Sequence, residues 1–153
     1  EAVLPQSIAL ARRQGSKVAV LFVDLDRFKE VNDTFGHATG DEVLIETGRR
    51  LSRAIRDSDF LARIGGDEFV VLLNEINSVD DAALVASTIR EALHGPIHTG
   101  SSSLVVTPSI GISLFPEDGE EADSLLAHAD AAMYRVKTDG RDNLRFYSAR
   151  ENP

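Results

Sequence analysis

The pattern of apolar and polar residues predicts alternating strands and helices. Residues 18–23 form a continuous apolar run, rich in β-branched side chains and too short for an ordinary helix, which predicts a buried central strand. Two shorter apolar runs surround Gly65-Gly66 and predict a β-hairpin whose tight turn places glycine at positive φ. Apolar residues recur at helical spacing in four segments, namely residues 2–13, 40–56, 79–93 and 121–137.

The remaining apolar segments complete the predicted sheet. Residues 96–115 predict a second hairpin with its turn near Thr99-Gly100-Ser101, and residues 144–147 predict an edge strand. The order β-α-β-β-α-β, with additional helices, is typical of an α+β sandwich with a ferredoxin-like core. Because it contains hairpins, the sheet is expected to be mainly antiparallel.

Composition limits the class of protein. A length of 153 residues, with 42% hydrophobic and 27% charged residues, predicts one globular domain over residues 1–153. The chain has no cysteine, which excludes disulfides and thiolate metal sites and is compatible with the cytoplasmic location that we expect. A formal net charge of −9 argues against binding to nucleic-acid polymers, but it permits a small anionic ligand that Mg²⁺ and local cations neutralise.

Two acids end the predicted central strand. Because side chains alternate along a strand, Asp24 and Asp26 share one face and Leu25 points to the other. Asp26 is also explained as the cap of a helix that begins near Arg27, whereas Asp24 has no such alternative. An EF-hand loop is disfavoured because residues 28 and 29 do not supply the ligand and glycine that it needs.

Two more acids follow the glycines of the first hairpin. Asp67 and Glu68 lie beside a bare glycine backbone, a combination that allows a phosphate and a divalent cation to approach. If strands 18–24 and 67–73 are neighbours, Asp24 and one hairpin acid converge on a Mg²⁺ site that takes substrate phosphates as further ligands. Alternation places Asp67 and Glu68 on opposite sides, so we expect them to have different roles.

Residues 32–41 predict a compact polar loop in which glycines four apart surround His37. Asn32 and Asp41 carry the donors and acceptors that guanine recognition needs, although Asp41 is equally well explained as a helix cap. His37 is not expected to bind a metal, since no second His lies at ligand spacing.

Basic residues gather at the end of the last predicted helix. Lys137 and Arg141 flank its C-terminus, where any cation interacts favourably with the helix dipole. Together with Lys29, they are candidates for a clamp of three cations around a triphosphate.

These motifs resemble those of the GGDEF domain, the diguanylate cyclase family. The resemblance runs in chain order through Phe22–Lys29, Asn32-Asp33, Gly36–Asp41, Gly65–Phe69, Ser109–Ser113, Ala129–Tyr134 and Lys137–Arg141. It implies a fold similar to nucleotidyl cyclases and polymerase palm domains, an antiparallel sheet wrapped by helices. It also implies condensation of two GTP to cyclic di-GMP and two pyrophosphates, by a homodimer in which each protomer holds one GTP.

The resemblance implies roles in metal binding and catalysis. Asp24 and Asp67 would bind Mg²⁺, with the Leu25 carbonyl assisting and Mn²⁺ as a possible substitute. Glu68 would either hold a second metal or order the turn. Lys29 would stabilise charge in the transition state, and Asp67 is the usual candidate for accepting the 3′-hydroxyl proton.

The resemblance also implies roles in substrate binding. Asn32 and Asp41 would bind guanine, and His37 would line the same pocket. The phosphate-binding positions of the family fall on three cations, namely Lys29, Lys137 and Arg141.

Arg56 and Asp59 form an Arg-x-x-Asp motif, and Asp59 lies six residues before Gly65. In the family this motif is the product-inhibition site for cyclic di-GMP, and the matching distance to Gly65 favours an intact site. The simpler alternative is an arginine at a helix C-terminus followed by an aspartate in a turn.

One family feature is missing. The Asp-x-Leu-Thr-Gly-Leu-x-Asn-Arg stretch at the family's domain entrance is absent, so we expect the chain to be part of a longer signalling protein. We expect no membrane contact by this domain, even if that longer protein has a membrane anchor.

The alternative function is a non-catalytic module that binds GTP or cyclic di-GMP, fused to another signalling domain. Such modules usually carry a damaged hairpin motif, unlike this chain.

Overall fold

The computed structural model describes residues 3–100 and 102–148. Its helices are α1 (Val3–Gln14), α2 (Phe28–Phe35), α3 (His37–Ala54), α4 (Val79–His94) and α5 (Ala122–Thr138). Its strands are β1 (Lys17–Leu25), β2 (Phe60–Arg63), β3 (Glu68–Ile76), β4 (Ile97–His98), β5 (Ser103–Leu104), β6 (Pro108–Phe115) and β7 (Asn143–Phe146). None of these helices is both long enough and apolar enough to cross a bilayer.

Five strands form the main sheet, in the order β2-β3-β1-β6-β7. β1 pairs antiparallel with β3 and β6, β2 pairs antiparallel with β3, and β7 pairs parallel with β6. The mainly antiparallel α+β sheet and the edge position of β7 are therefore confirmed. The continuous apolar run of β1 lies at the centre, where both faces of the strand are covered.

Helices cover both faces of the sheet. Each face of the sheet packs against its own set of helices, and successive residues of β1 point to opposite faces. Leu21 packs with α3 and α4 on one face, whereas Val20 packs with α1 and α5 on the other. α5 lies directly on the backbone of β6, since a Cβ atom at Gly111 would be 2.1 Å from the Ala129 carbonyl oxygen. This close contact between α5 and β6 fixes the end of α5 relative to the end of β1.

The predicted helices are confirmed apart from their ends. α1 ends before Gly15, and α5 ends two residues before Gly140. α4 begins after Ser78, whose hydroxyl oxygen accepts a hydrogen bond from the Asp81 amide at 3.3 Å. Residue 2, where the first helix was predicted to begin, lies outside the described residues.

The turn of the first hairpin differs from the prediction. β2 ends at Arg63 and β3 begins at Glu68, so residues 64–67 form a four-residue loop, and neither Gly65 nor Gly66 has a positive φ. Gly65 leaves room for the side chain of Glu68, because a Cβ atom at position 65 would lie only 3.1 Å from Oε1 of Glu68. Glycine is therefore needed at this position for the space that it leaves, and not for a positive φ.

The second predicted hairpin is only partly correct. Its pairing is limited to β4 and β5, which form a separate two-stranded sheet. β6 instead joins the main sheet, because all eight of its residues are buried and it needs a partner on each side. The Ser101 end of the predicted turn lies outside the described residues.

The predicted loop at residues 32–41 was also wrong. The segment belongs to α2 and α3, which meet at Gly36, where φ is +94°. Because α3 begins at His37, Asp41 lies inside the helix and does not cap it. Gly40 occurs within this helix because a Cβ there would lie 1.9 Å from Oδ1 of Asn32.

Candidate active site

Two carboxylates meet where β1 ends and β3 begins. The antiparallel register places Asp24 opposite Glu68, and the Leu25 amide donates a hydrogen bond to the Asp67 carbonyl oxygen at 3.2 Å. The side chains of Asp24 and Asp67 are close enough to share a hydrogen bond when one of them is protonated. The structure thus brings together the two acids that the sequence placed on neighbouring strands.

Asp24 is electrostatically strained. Its side chain is buried, and the pKa of its carboxyl is raised from 3.8 to about 6, with this burial as the largest cause. A hydrogen bond from Lys137, whose Nζ lies 2.8 Å from Oδ2, lowers that pKa, while the neighbouring Asp67 raises it. The other oxygen, Oδ1, is buried and has no hydrogen-bond partner among the described residues. A buried carboxylate oxygen without a donor is unfavourable unless a cation supplies the missing interaction.

The oxygen donors at this site fit a hard divalent cation. Within residues 3–100 and 102–148, no three His, Asp or Glu side chains are grouped so that they could hold a metal. A cation beside Asp24 and Asp67 would therefore need main-chain, water or substrate oxygens, which is the usual arrangement for Mg²⁺. Glu68 lies against Gly65 in the hairpin loop, an arrangement that favours its turn-ordering role.

The predicted phosphate-binding cations lie on two helix ends. Lys137, in the last turn of α5, contacts Asp24 directly. Arg141 follows that helix with φ of +66°, and its amide donates to the Val136 carbonyl oxygen at 2.8 Å. Lys29 is exposed near the start of α2 and makes no ion pair within the described part of the chain.

The predicted guanine-binding residues surround the start of α3. Asp41 lines a depression of about 370 Å³ between α3 and the first hairpin. Asn32 packs over Gly40 beside it, and His37 is exposed at the first position of the helix. Arg63 lines the same depression from β2 and donates to the Gly66 carbonyl oxygen at 2.8 Å, which holds the hairpin loop. Sequence reasoning missed Arg63, since a single arginine in a strand carries no distinctive signal.

Asp26 does not cap α2, contrary to one of the two explanations from the sequence. The N-cap residue is Arg27, which has φ of +57° and makes no capping hydrogen bond through its side chain. Asp26 is instead buried, and it accepts hydrogen bonds from Thr107 Oγ1 (2.7 Å), Ser109 Oγ (2.6 Å) and the Asp142 amide (2.9 Å). It joins segments that are more than 80 residues apart in sequence, which local patterns do not reveal.

The Arg-x-x-Asp motif forms a compact unit between α3 and β2. Arg56 donates to Asp59 through Nη2 at 3.1 Å and Nε at 3.2 Å, and it also donates to the Asn74 carbonyl oxygen. These bonds with Asp59 raise the pKa of Arg56 above its ordinary value. The Asp59 carboxylate is buried, whereas more than half of the Arg56 side chain remains exposed. The arginine is therefore held in position while part of it stays accessible to a ligand.

Residues 1–143 match the family model described as "Diguanylate cyclase, GGDEF domain". The chain belongs to this family. The GGDEF domain is 42% identical over 146 residues to diguanylate cyclase TpbB of Pseudomonas aeruginosa, covering 95% of this chain and 34% of that protein. It is 38% identical to the cyclic di-GMP phosphodiesterase NbdA of the same organism, over 95% of this chain and 18% of that protein.

A solved structure comprising only the GGDEF domain of TpbB agrees with the fold, with a TM-score of 0.94 at 39% identity. The match covers 98% of this chain and 88% of that one. The palm-like nucleotidyl cyclase fold is thereby confirmed. Because the chain spans about a third or less of its curated relatives, their whole-protein activities do not transfer to it directly.

Proposed function

We propose that this GGDEF domain is a diguanylate cyclase that condenses two GTP molecules to cyclic di-GMP and releases two pyrophosphates. The observation that supports the proposal best is the meeting of Asp24 and Asp67 beside Lys137, where one buried oxygen of Asp24 has no donor in the described part of the chain. Acids and a cation in this arrangement suit a nucleoside triphosphate with its counterion.

Asp24 and Asp67 would hold a divalent cation together with the Leu25 carbonyl, and we expect Mg²⁺, with Mn²⁺ as an alternative. Diguanylate cyclases of this family are generally metal-dependent. The bound ion would polarise the α-phosphate and lower the pKa of the attacking 3′-hydroxyl. Glu68 is assigned to ordering the hairpin loop, and its role as a ligand of a second metal stays a prediction.

The remaining residues would bind and orient the substrate. Asn32 and Asp41 would recognise guanine, with His37 at the edge of the pocket. Lys137 lies 2.8 Å from Asp24, so it is placed to exchange this carboxylate for a phosphate when GTP binds. Lys29 and Arg141 would add charge at the phosphates, and Lys29 would also stabilise the transition state. Asp67 would accept the proton from the 3′-hydroxyl.

Two protomers would have to face each other, because each holds one GTP and the 3′-oxygen of one substrate attacks the α-phosphorus of the other. Catalysis is then mainly positioning, and homodimer formation would act as the switch. GGDEF domains bind GTP and cyclic di-GMP, and we assign product binding to Arg56 and Asp59. We expect all of this to take place in the cytoplasm, without contact to nucleic-acid polymers.

A regulatory module is the second candidate. A relative that is 38% identical over this domain is named a cyclic di-GMP phosphodiesterase, so similar GGDEF domains occur in proteins named for the opposite reaction. Such a domain would bind GTP or cyclic di-GMP and control a fused partner without synthesis.

The test is synthesis by a dimer enforced through a fused leucine zipper. This protein is incubated with GTP and Mg²⁺, and the nucleotides are separated by chromatography. We expect cyclic di-GMP from the parent sequence and none from Asp67→Ala, which removes a metal ligand but no core contact. GTP binding without any product from the parent would favour the regulatory module. Undiminished synthesis by Asp67→Ala would contradict the metal assignment.

A further inference from the structure

The buried Asp26 carboxylate joins the end of β1 to two distant segments. Its Oδ1 accepts from Ser109, and its Oδ2 accepts from both Thr107 and the backbone amide of Asp142. Asp26 follows the metal-binding candidate Asp24 by two residues, and the Asp142 amide directly follows Arg141. One carboxylate therefore links the acidic part of the site to the loop that carries a phosphate-binding candidate.

This loop has a costly backbone conformation. Arg141 and Asp142 are consecutive non-glycine residues with φ of +66° and +52°. Left-handed backbone is unfavourable for residues with a Cβ, so it persists only where surrounding contacts enforce it, and such positions concentrate at functional sites. The amide of Asp142, held at 2.9 Å by Asp26, is one of those contacts.

The other side of the loop is tied to α4. The Asp142 carboxylate lies 2.5 Å from Nε2 of His94 and 3.3 Å from Nε of Arg90, and Arg90 also donates to the Asp142 carbonyl oxygen at 3.2 Å. Asp142 is thus bonded through its amide, its carbonyl and its side chain. The residue before it, Arg141, is held between these bonds and the end of α5.

We propose that Asp26 is a positioning residue that fixes the Arg141–Asp142 segment, and so sets the place of Arg141 for binding the triphosphate. The role in phosphate binding rests on the proposed function, whereas the anchoring of the loop does not. Asp26 acts through Arg141 and does not touch the substrate.

Hydrogen exchange tests the anchoring without any nucleotide. Asp26→Ala removes all three acceptor contacts, and we expect amide exchange in residues 139–143 to become at least tenfold faster. The matched control is Ser113→Ala, which also removes a buried polar group from the main sheet. The Ser113 hydroxyl donates to the Leu125 carbonyl oxygen and not to the Arg141–Asp142 segment. The control should leave exchange in this loop unchanged. Unchanged exchange in Asp26→Ala would overturn the anchoring role, whether or not the protein binds GTP.

Calorimetric binding of 3′-deoxy-GTP with Mg²⁺ tests the functional consequence, since this analogue lacks the attacking hydroxyl. We expect Asp26→Ala to weaken binding about tenfold, as loss of an outer hydrogen bond does at other binding sites, and Ser113→Ala to bind as the parent does. Asp26→Asn should retain most of the affinity, because a rotated amide can still accept from Asp142. Parent-like affinity in a folded Asp26→Ala protein would overturn the proposal.

A second variant decides the matter if Asp26→Ala does not fold. Asp142→Ala leaves the amide bond to Asp26 but removes the side-chain bonds to His94 and Arg90, at a position that is partly exposed. Because the Asp26 bond remains, we expect this loop to stay anchored, with amide exchange in residues 139–143 less than threefold faster than in the parent and with parent-like affinity for 3′-deoxy-GTP. Exchange in this loop that becomes tenfold faster or more would show that the side-chain bonds to α4, and not Asp26, hold the segment, and would overturn the proposal. A parent protein that binds no analogue would contradict the proposed function instead, and the exchange experiment would still decide the anchoring.

Discussion

At the scale of single residues, Asp24 carries the clearest sign of a site built for a ligand. A carboxylate that is buried beside a second acid, with one oxygen that receives no hydrogen bond from the described residues, makes the metal-free fold less stable at neutral pH. The neighbouring Lys137 compensates only part of this cost, because the pKa of Asp24 stays raised. Residues that reduce stability in this way are expected where function requires them.

The stability of the metal-free protein should therefore depend on Asp24 and pH. Its pKa is about 6 in the folded state and 3.8 ordinarily, so between these values the folded state binds more protons than the unfolded chain. The free energy of unfolding consequently falls as pH rises through this window. A pKa difference of about 2 corresponds to about 3 kcal/mol.

Asp24→Asn removes this contribution, and we expect it to be more stable than the parent at pH 7.5 and not at pH 4. Urea unfolding in EDTA across this range measures the difference. Asp57→Asn, at an exposed turn residue, is the control and should follow the parent curve. An Asp24→Asn curve parallel to that of the parent would show that Asp24 is not strained.

Arg56 offers a test of product inhibition. When the arginine side chain is removed, the backbone amides of residues 56 and 74 still donate to Asp59. Arg56→Ala should therefore lower the free energy of unfolding by less than about 1 kcal/mol. We expect this variant to lose inhibition by added cyclic di-GMP and to keep an uninhibited rate near that of the parent. The measurement is the initial rate against cyclic di-GMP concentration. Arg53→Ala, one turn earlier on α3, is the control, and an inhibition curve for Arg56→Ala that matches it would make Arg56 an ordinary surface cation.

At the scale of secondary-structure elements, the seating of α5 on β6 places Lys137 beside Asp24. Gly111→Ala would put a Cβ 2.1 Å from the Ala129 carbonyl oxygen and 2.2 Å from the Met133 amide, both backbone atoms. The helix would have to move, so we expect a loss of about 3 kcal/mol and weaker GTP binding. Denaturant unfolding and calorimetry measure these two effects.

Gly66→Ala is the matched control for that substitution. A Cβ there meets nothing within 4 Å and φ is not positive, so stability should change by less than about 0.5 kcal/mol. If Gly111→Ala were as stable as this control, α5 would not lie on the backbone of β6 as described.

The elements also show where sequence reasoning works. Long periodic segments such as α4 and α5, and the apolar run of β1, were predicted because their patterns record burial directly. The pairing of β6 was mispredicted, and residues 32–41 were predicted as a loop although they belong to α2 and α3, since strand pairing and the close contact of these two helices at Gly36 depend on more than local pattern. The site followed the same rule: Asp24 and Asp67 were paired from neighbouring strands, whereas the partners of Asp26 lie more than 80 residues away.

At the scale of the whole molecule, one domain supplies half of what the proposed reaction needs. The described residues place one set of acids at the end of β1, and under the proposed function that set holds one GTP. Forming two phosphodiester bonds between two nucleotides requires each to act once as nucleophile and once as electrophile. A pair of domains related by twofold symmetry meets this requirement, because both sites are then equivalent.

The rate of synthesis should accordingly depend on protein concentration. For the chain without a fused zipper, we expect product formed per mole of protein to rise with concentration in the range where most chains are monomers, because the fraction of dimer rises there. In the leucine-zipper dimer the same quantity should stay constant over that range, since its two domains are already linked. Light scattering at each concentration gives the dimer fraction, and chromatography gives the product. A rate per mole that is independent of concentration, in samples shown to be monomeric, would mean that one domain completes both bonds and would exclude the two-protomer mechanism.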